Sequence, residues 1–425
     1  VSGGSASLVS DFFDTGWAYR MPLTVDNTGN PSSLAQYQVK IVLDSSVMDF
    51  WNGIESDGRS IRLTDGDGST LLDYFVDAFD YGAENAEIYV ELPSIPAAAS
   101  TNVYLYYGNA SSSSLSSGSA TFFFYDDFES GDLGWQTYLS GSVAVIDDGG
   151  NAVLRKFNQS DANGGYRDFG GSIASFETLF RTKRVNFTGG GANRYALEDA
   201  TFSGYGPQLN SFDGSSTMLI EERNGGSAST ISSTVYPLLS SNLWYTLHLR
   251  YYSNNIELEI YDEGGSQLES VSTTDATYSS FSRFVVHGGY EFYTDDIRVR
   301  RYSSPDPSVT AGVAETTLPS NGPSIFPASG PGYTELYGFE HETGASHQGL
   351  LAYQVSNDGL SWYWWNGSSW TEAMESSDSN DVAEINDNIA QFVTDVGTGN
   401  FYFRAYLLSD GIQAVELDSV ELLYR

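Results

Sequence analysis

The segment Tyr37-Gln38-Val39-Lys40-Ile41-Val42-Leu43 carries an apolar side chain at every odd position. Because successive side chains of a β-strand point to opposite faces, this alternation is typical of a strand with one buried face. The same period recurs in the segments 87–92, 103–107, 244–250, 256–261 and 415–420. Helical spacing is absent over any useful length, apart from a short turn expected near 386–395. The pattern therefore predicts an all-β protein.

The chain has 425 residues, whereas a single hydrophobic core usually stops growing at about 250 to 300 residues. Ser-rich and Pro-rich stretches near 111–114, 303–307 and 318–331 indicate boundaries. We therefore predict an all-β fold with three consecutive β-sandwich, jelly-roll-like domains. The expected divisions are an N-terminal arm at 1–10, sandwiches at 11–119 and 120–309, a linker at 310–324 and a third sandwich at 325–425.

The formal net charge of the chain is -36, with few basic residues and no cysteine. Such a field repels phosphate backbones and anionic lipids, so we expect no nucleic-acid partner. No apolar run is long enough for a membrane span. The chain begins with Val1, and we expect that a secretion signal was removed upstream of it. Four sequons, at Asn109, Asn158, Asn186 and Asn366, would suit glycosylation of an extracellular protein.

Three motifs mark the first unit: Trp17-Ala18-Tyr19-Arg20-Met21-Pro22 at its start, a middle segment at 57–65 with Asp57-Gly58, and Tyr106-Tyr107-Gly108-Asn109 at its end. Together they resemble a domain of unknown function that is common in archaeal and bacterial surface proteins. The resemblance implies a β-sandwich within a secreted, multi-domain protein. It supplies no catalytic residues.

The second unit opens with residues 122–129, which contain Asp126-Asp127-Phe128-Glu129, and ends with residues 293–299, which contain Asp295-Asp296. This order is similar to the concanavalin or laminin-G-like jelly roll. The resemblance implies that the first and last strands lie side by side.

Adjacent first and last strands would bring several carboxylates together. Like charges at short distance need a cation or protons, and hard cations prefer oxygen ligands. The sequence therefore predicts a structural calcium ion, held by some of five residues: Asp126, Asp127, Glu129, Asp295 and Asp296. The alternative is that these residues cap turns or face water.

Retaining glucanases of the jelly-roll type carry an E-x-D-x-x-E arrangement, which holds two carboxylates about 5 Å apart. That motif is absent, and Glu257-x-Glu259 is the nearest approach to it. No nucleophile elbow, phosphate loop or dinucleotide motif occurs either. We therefore predict that the chain is not an enzyme.

The third unit contains a run of aromatic residues, Trp362-Tyr363-Trp364-Trp365, followed by Trp370. Turn sequences on both sides predict a hairpin, in which Trp362 and Trp364 share one face. Aromatic rings beside polar groups suit sugar binding, so Trp362, Trp364 and Trp370 are candidate ligand contacts. Packing in the core is the alternative.

Two functions fit these observations. The first is a non-catalytic extracellular structural or adhesive protein, the self-assembling subunit of a pilus-like filament or a surface layer. In this hypothesis the arm at 1–10 adds as a strand to the sheet edge of a neighbouring copy. The second is a carbohydrate-binding, lectin-like protein, or the binding part of a polysaccharide-degrading system.

Overall fold

The structure is a computed structural model. It describes residues 6–7, 12–14, 16–131, 134–138, 143–157, 164–185, 192–212, 215–237, 239–316, 324–409 and 413–425. The fold is almost entirely β and contains three β-sandwich units, which confirms the predicted all-β class. No helix in these ranges is long and apolar enough to cross a membrane.

The elements follow in chain order. The arm and the first sandwich contain β1 (Ala6–Ser7), β2 (Tyr19–Asp26), β3 (Leu34–Leu43), α1 (Met48–Gly53), β4 (Arg62–Thr64), β5 (Tyr74–Asp80), β6 (Asn85–Ile95), β7 (Ser100–Tyr107) and α2 (Gly118–Thr121). The second sandwich contains β8 (Phe124–Asp126), β9 (Gln136–Tyr138), β10 (Val143–Asp147), β11 (Ala152–Lys156), β12 (Gly164–Ile173), β13 (Phe176–Arg184), β14 (Ala192–Glu198), β15 (Gly204–Phe212), β16 (Ser215–Asn224), β17 (Ser227–Tyr236), β18 (Trp244–Tyr252), β19 (Asn255–Tyr261), β20 (Gln267–Thr274), β21 (Phe281–Gly288) and β22 (Phe292–Arg301).

The remaining elements come after the second sandwich. They are β23 (Ser308–Ala311), β24 (Glu315–Thr316), β25 (Ser324–Ile325), β26 (Gly332–Tyr333), β27 (Leu336–Glu342), β28 (Leu350–Ser356), β29 (Tyr363–Trp365), β30 (Trp370–Glu372), α3 (Val382–Asp395), β31 (Gly399–Asn400), β32 (Tyr402–Leu408), β33 (Glu416–Leu417) and β34 (Ser419–Tyr424).

The first sandwich is completed by strands from beyond the second. Its larger sheet has the order β23-β2-β7-β4, with β24 also on β2, and the facing sheet has the order β3-β6-β5. The predicted boundary at 309 and the predicted linker at 310–324 are therefore wrong for residues 308–316, since Val309 and Ala311 pack against the first core. The second sandwich is an insertion in the first.

The second sandwich packs an eight-stranded sheet (β10-β11-β22-β13-β18-β19-β20, with β8 on β22) against a seven-stranded sheet (β17-β16-β15-β14-β21-β12-β9). The adjacency of its first and last strands is confirmed, because Asp126 lies opposite Ile297 in the pairing of β8 with β22. Alternation in β18 and β19 supplies the core, where Leu247, Leu249 and Leu258 are fully buried.

The third unit contains the clearest departure from the sequence prediction. Instead of a short turn near 386–395, α3 runs for 14 residues. Asp381 caps it by accepting a hydrogen bond from the amide of Glu384, while Ile385, Ile389 and Phe392 face the core. The helix packs mainly on β27, beside the five-stranded sheet β25-β32-β28-β29-β30.

The first two sandwiches share a polar, well-bonded interface. The buried Arg300 guanidinium donates to the carbonyl of Gln38 (3.1 Å) and to Asp306 (2.6 Å), and its Nε donates to Glu177 (2.7 Å). Arg298 also pairs with Asp77. These bonds fix the orientation of the two units.

Candidate functional site

The five carboxylates of the predicted calcium site do not act as one group. Asp126 is buried, and its carboxylate accepts hydrogen bonds from Trp135 Nε1 (2.9 Å), Arg167 Nη1 (2.5 Å) and the amide of Phe128 (3.0 Å). Burial raises the pKa of Asp126, whereas these three donors lower it. The positive charge of Arg167 therefore already compensates Asp126, which we remove from the predicted ligand set.

Asp295 has a different environment. Its side chain is 2% exposed, and the nearest guanidinium nitrogen, on Arg181, lies 3.9 Å away. It accepts hydrogen bonds from Asn151 Nδ2 (2.9 Å) and the amide of Asp296 (2.8 Å). Burial, followed by the charge of Asp296, raises the pKa of Asp295 to about 6. A cation nearby would relieve this cost.

The turn that ends at Asn151 connects Asp295 with Glu129. Glu129 accepts a hydrogen bond from the amide of Ala152 (2.8 Å), next to the Asn151 side chain that contacts Asp295. Carboxylate and amide oxygens are ligands that calcium takes. Sequence reasoning missed Asn151, although this residue ends a segment of Asp and Gly residues, 147–151, that was a usable signal.

The other two residues of the set, Asp127 and Asp296, make contacts with neighbouring side chains and amides. Asp127 accepts from Tyr125 Oη (3.2 Å) and from the amide of Glu129 (3.3 Å), and Asp296 pairs with Arg181 (3.3 Å). Across the part of the chain that the structure describes, no three Asp, Glu or His side chains are arranged to hold a metal ion. Calcium stays a prediction, and Glu129 and Asp295 are the residues of the predicted set that lie on either side of the turn at Asn151.

The aromatic hairpin of the third unit has one face in the core. Trp370 is 5% exposed, donates from Nε1 to the carbonyl of Asn388 (3.0 Å) and packs on Phe392 at 5.1 Å between ring centroids. Trp365 packs on Trp370. The proposal that Trp370 contacts a ligand is therefore wrong, because the ring is enclosed by the core.

The opposite face of the hairpin carries Trp362 and Trp364. Trp362 is 9% exposed, and the Arg404 guanidinium lies over its ring, 4.1 Å from the centroid. Trp364 is half-buried. Of the three predicted ligand contacts, Trp364 is therefore the most accessible.

Two of the four predicted glycosylation sites lie in the described ranges. Asn366 is exposed in the hairpin turn, and its Oδ1 accepts from the amides of Ser368 and Ser369 (3.0 Å each). Asn109 is half-buried, and its Oδ1 accepts from the amide of Ser111 (3.1 Å). Asn158 and Asn186 lie outside the described residues.

Sequence reasoning also missed a charged cluster on the outer face of the seven-stranded sheet. Arg223, 2% exposed, donates to Glu198 (2.6 Å), Glu221 (3.4 Å) and Tyr138 Oη (2.9 Å). Burial raises the pKa of Glu198, and the charge of Arg223 opposes that shift. Glu221 and Arg223 are two residues apart on β16 and therefore share one face of the sheet, and this spacing was the signal available in the sequence. Because Glu198 and Arg223 are enclosed, we expect the cluster to contribute to stability.

Fold and sites together define an all-β, multi-sandwich architecture. A family model described as a domain of unknown function (DUF2341) matches residues 57–138. This supports the resemblance proposed for the first unit over its middle and end. The match begins after the Trp17 motif and extends into the second sandwich.

One relative is an uncharacterized protein of Methanocaldococcus jannaschii, MJ1394, which is 36% identical over 189 residues. The match covers 41% of this chain and 19% of the relative, so the chain spans a small part of the relative's length.

Solved structures align with part of the chain at low similarity. The carbohydrate-binding module CBM66 from Bacillus subtilis is 15% identical, over 39% of this chain and 95% of the module, with a TM-score of 0.31. The VIP36 exoplasmic/lumenal domain in its Ca2+/Man3GlcNAc-bound form is 10% identical, over 40% of this chain and 85% of that domain, with a TM-score of 0.32. TM-scores of this size say nothing about what this chain binds.

Proposed function

We propose that the chain is a non-catalytic, extracellular structural or adhesive protein that self-assembles as the subunit of a cell-surface filament or surface layer. The observation that carries the proposal is the pairing of the N-terminal arm with the third unit. Ala6 lies opposite Leu417 and Ser7 opposite Glu416, in a two-stranded antiparallel sheet. The composition also supports the proposal, because the chain is strongly acidic and contains no cysteine.

This pairing is suited to exchange between copies. It joins only two residues on each side, and strand pairing rests on main-chain hydrogen bonds. The same arm in a second copy can make the same bonds to β33, because exchange of an identical element is a low-cost route to association. Repeated in one direction, such an exchange forms an open chain of subunits.

Assembly is tested by electron microscopy and analytical ultracentrifugation of the purified full chain at high concentration. We expect filaments or a lattice. Ser7→Pro should prevent assembly because proline removes a main-chain donor, whereas Ser7→Ala keeps the amide and should assemble. A chain that stays monomeric, or for which Ser7→Pro and deletion of residues 1–10 change nothing, would contradict the proposal.

The second candidate function is glycan binding, favoured by the half-buried Trp364 on the outer face of the hairpin. A pyranose ring can stack on indole while neighbouring polar groups bind its hydroxyls. A glycan array probed with the full chain and with Trp364→Ala tests this function. Loss of signal in the variant supports it, and equal signal rejects the hairpin as the site. Release of reducing sugar from any hit would contradict the non-catalytic proposal.

A further inference from the structure

A cleft lies where the first and second sandwiches meet. The first sandwich contributes the segment 30–37. The second contributes the turns at 174–175 and 252–253 and the segment 301–304, which begins at the last residue of β22. We propose that this cleft binds an acidic saccharide, with Arg301 holding a sugar carboxylate and Tyr252 and Tyr302 contacting the sugar rings. The proposal concerns a site separate from the arm and from the aromatic hairpin.

The walls of the cleft are held in place by buried bonds. Tyr37, 2% exposed, donates its hydroxyl hydrogen to Asp306 (2.5 Å) and accepts from the amide of Ser303 (3.0 Å). Arg300 ties Asp306 to the same region through two bonds (3.2 and 2.6 Å). Binding in the cleft therefore needs little rearrangement, which lowers the entropic cost of binding.

Arg301 has a charge that the protein does not neutralise directly. Its Nη2 donates to the side-chain amide oxygen of Gln36 (3.3 Å), and its guanidinium lies 5.2 Å from the centroid of the Phe123 ring. No Asp or Glu among the described residues lies within 4.0 Å of it, and its buried Nε has no hydrogen-bond partner there. Arg62 and Arg404 likewise bond only to uncharged oxygens, but Arg301 is the arginine that lines this cleft.

The nearby carboxylates are already engaged. Glu91 interacts electrostatically with Arg301, but its carboxylate accepts from Gln38 Nε2 (3.1 Å). Asp306 pairs with Arg300 (2.6 Å). The net charge of -36 repels anions at long range. Binding of a carboxylate therefore depends on a short-range pair with Arg301, whose guanidinium matches carboxylate geometry with two parallel hydrogen bonds.

The rest of the cleft suits a sugar. Tyr252 and Tyr302 are half-buried and pack edge to face, 5.3 Å between centroids, which leaves part of each ring at the cleft surface. Four exposed hydroxyl side chains surround them: Ser32, Ser33, Ser253 and Ser304. Aromatic rings beside hydroxyls and one guanidinium form a set that favours a polyhydroxylated ring with a carboxylate over a purely apolar ligand.

Isothermal titration calorimetry of the full chain tests the proposal with three uronate probes: tetragalacturonate, tetramannuronate and a hyaluronan tetrasaccharide. The methyl ester of whichever probe binds serves as the neutral control. We expect saturable binding of at least one probe, weakened about tenfold or more by esterification or by Arg301→Gln, because each removes the charged bidentate pair. Tyr302→Ala should also weaken it.

Arg59→Gln is the matched control variant, because Arg59 is an exposed arginine outside the cleft that pairs with Asp57. It should bind as the unchanged chain does. Thermal melting checks that each variant is folded. Failure of all three probes to bind overturns the proposal, as does equal affinity for acid and ester or for Arg301→Gln. Loss of filament formation would leave this result unaffected, so the two proposals fail separately.

Discussion

Leu23 lies opposite Ala311 in an antiparallel pair, although the whole second sandwich separates them in the chain. The first sandwich is thus built from two distant segments. The pairing continues from Asp26 with Ser308 to Leu23 with Ala311, and β24 adds Tyr19 with Thr316.

The insertion predicts unequal effects for two neighbouring substitutions. Val309→Asp should lower the free energy of unfolding by about 1 to 3 kcal/mol, because a charge replaces a side chain that packs on the first core. Thr310→Asp, at an exposed position of the same strand, should change it by less than about 0.5 kcal/mol. Chemical denaturation of the full chain measures both. Equal, small effects would show that residues 308–311 are a linker.

The buried Arg223 network predicts a large loss of stability when one partner is removed. Arg223→Met should cost about 3 to 5 kcal/mol, since Glu198 and Glu221 would lose their buried counter-charge. Arg59→Met breaks an exposed pair with Asp57 and should cost less than about 1 kcal/mol. Urea denaturation compares them, and similar values would contradict the structural role of the network.

The raised pKa of Asp295 predicts that the stability of the protein depends on pH in the absence of added metal. Its pKa in the folded state, about 6, exceeds the usual value of 3.8, so the folded protein binds this proton more tightly than the unfolded chain. The stabilising contribution of the Asp295 proton is therefore fully present below pH 4 and is lost as the pH rises through about 6. The free energy of unfolding falls by about 3 kcal/mol in total over this range. Asp295→Asn should remove that part of the slope. Denaturation in the presence of chelator at several pH values measures the slope of stability against pH for the unchanged chain and for Asp295→Asn. Equal slopes for the two proteins would contradict the prediction.

A bound calcium ion predicts a gain in stability at neutral pH, where ionisation of Asp295 alone predicts a loss. Added calcium should raise the melting temperature of the full chain, because an ion bound only to the folded state stabilises it by mass action. Glu129→Gln and Asp295→Asn should abolish the increase. Asp127→Asn should retain it, because Asp127 bonds locally to Tyr125 and the amide of Glu129. An unchanged melting temperature in calcium and in excess chelator would rule the site out.

The two faces of the aromatic hairpin predict different costs. Trp370→Ala should lower the free energy of unfolding by about 3 to 5 kcal/mol, since it leaves a cavity beside Phe392. Trp364→Ala, at a half-buried position, should cost less than about 2 kcal/mol. Thermal and chemical denaturation of both variants provides the comparison. A reversed order would mean that the hairpin faces are assigned wrongly.

Strand positions were predictable because alternation is a local property. Tyr37, Val39, Ile41 and Leu43 are all buried, as their spacing predicted. The helix α3 was missed because half of its 14 residues are polar, and only three of its apolar side chains, Ile385, Ile389 and Phe392, are fully buried on the core face. The spacing of those three, with Asp381 and Glu384 before them, is a usable helix signal.

The insertion and the sites depend on contacts that a local pattern does not contain. The strand Ser308–Ala311 has four residues and looks like linker sequence, and only its partner, β2, makes it part of the first sheet. Likewise, Asp126 and Asp295 have similar sequence contexts. Arg167 is what compensates the first, and burial beside Asp296 is what raises the pKa of the second.

The insertion also predicts an order of folding. The second sandwich is contiguous in the chain, so it can close as soon as residue 301 has emerged during synthesis. The first cannot complete its sheet until β23 and β24 follow, and docking these strands is entropically easier once the intervening domain has brought its two ends together. We therefore expect the domain that comes first in the chain to be the later of the two to finish folding.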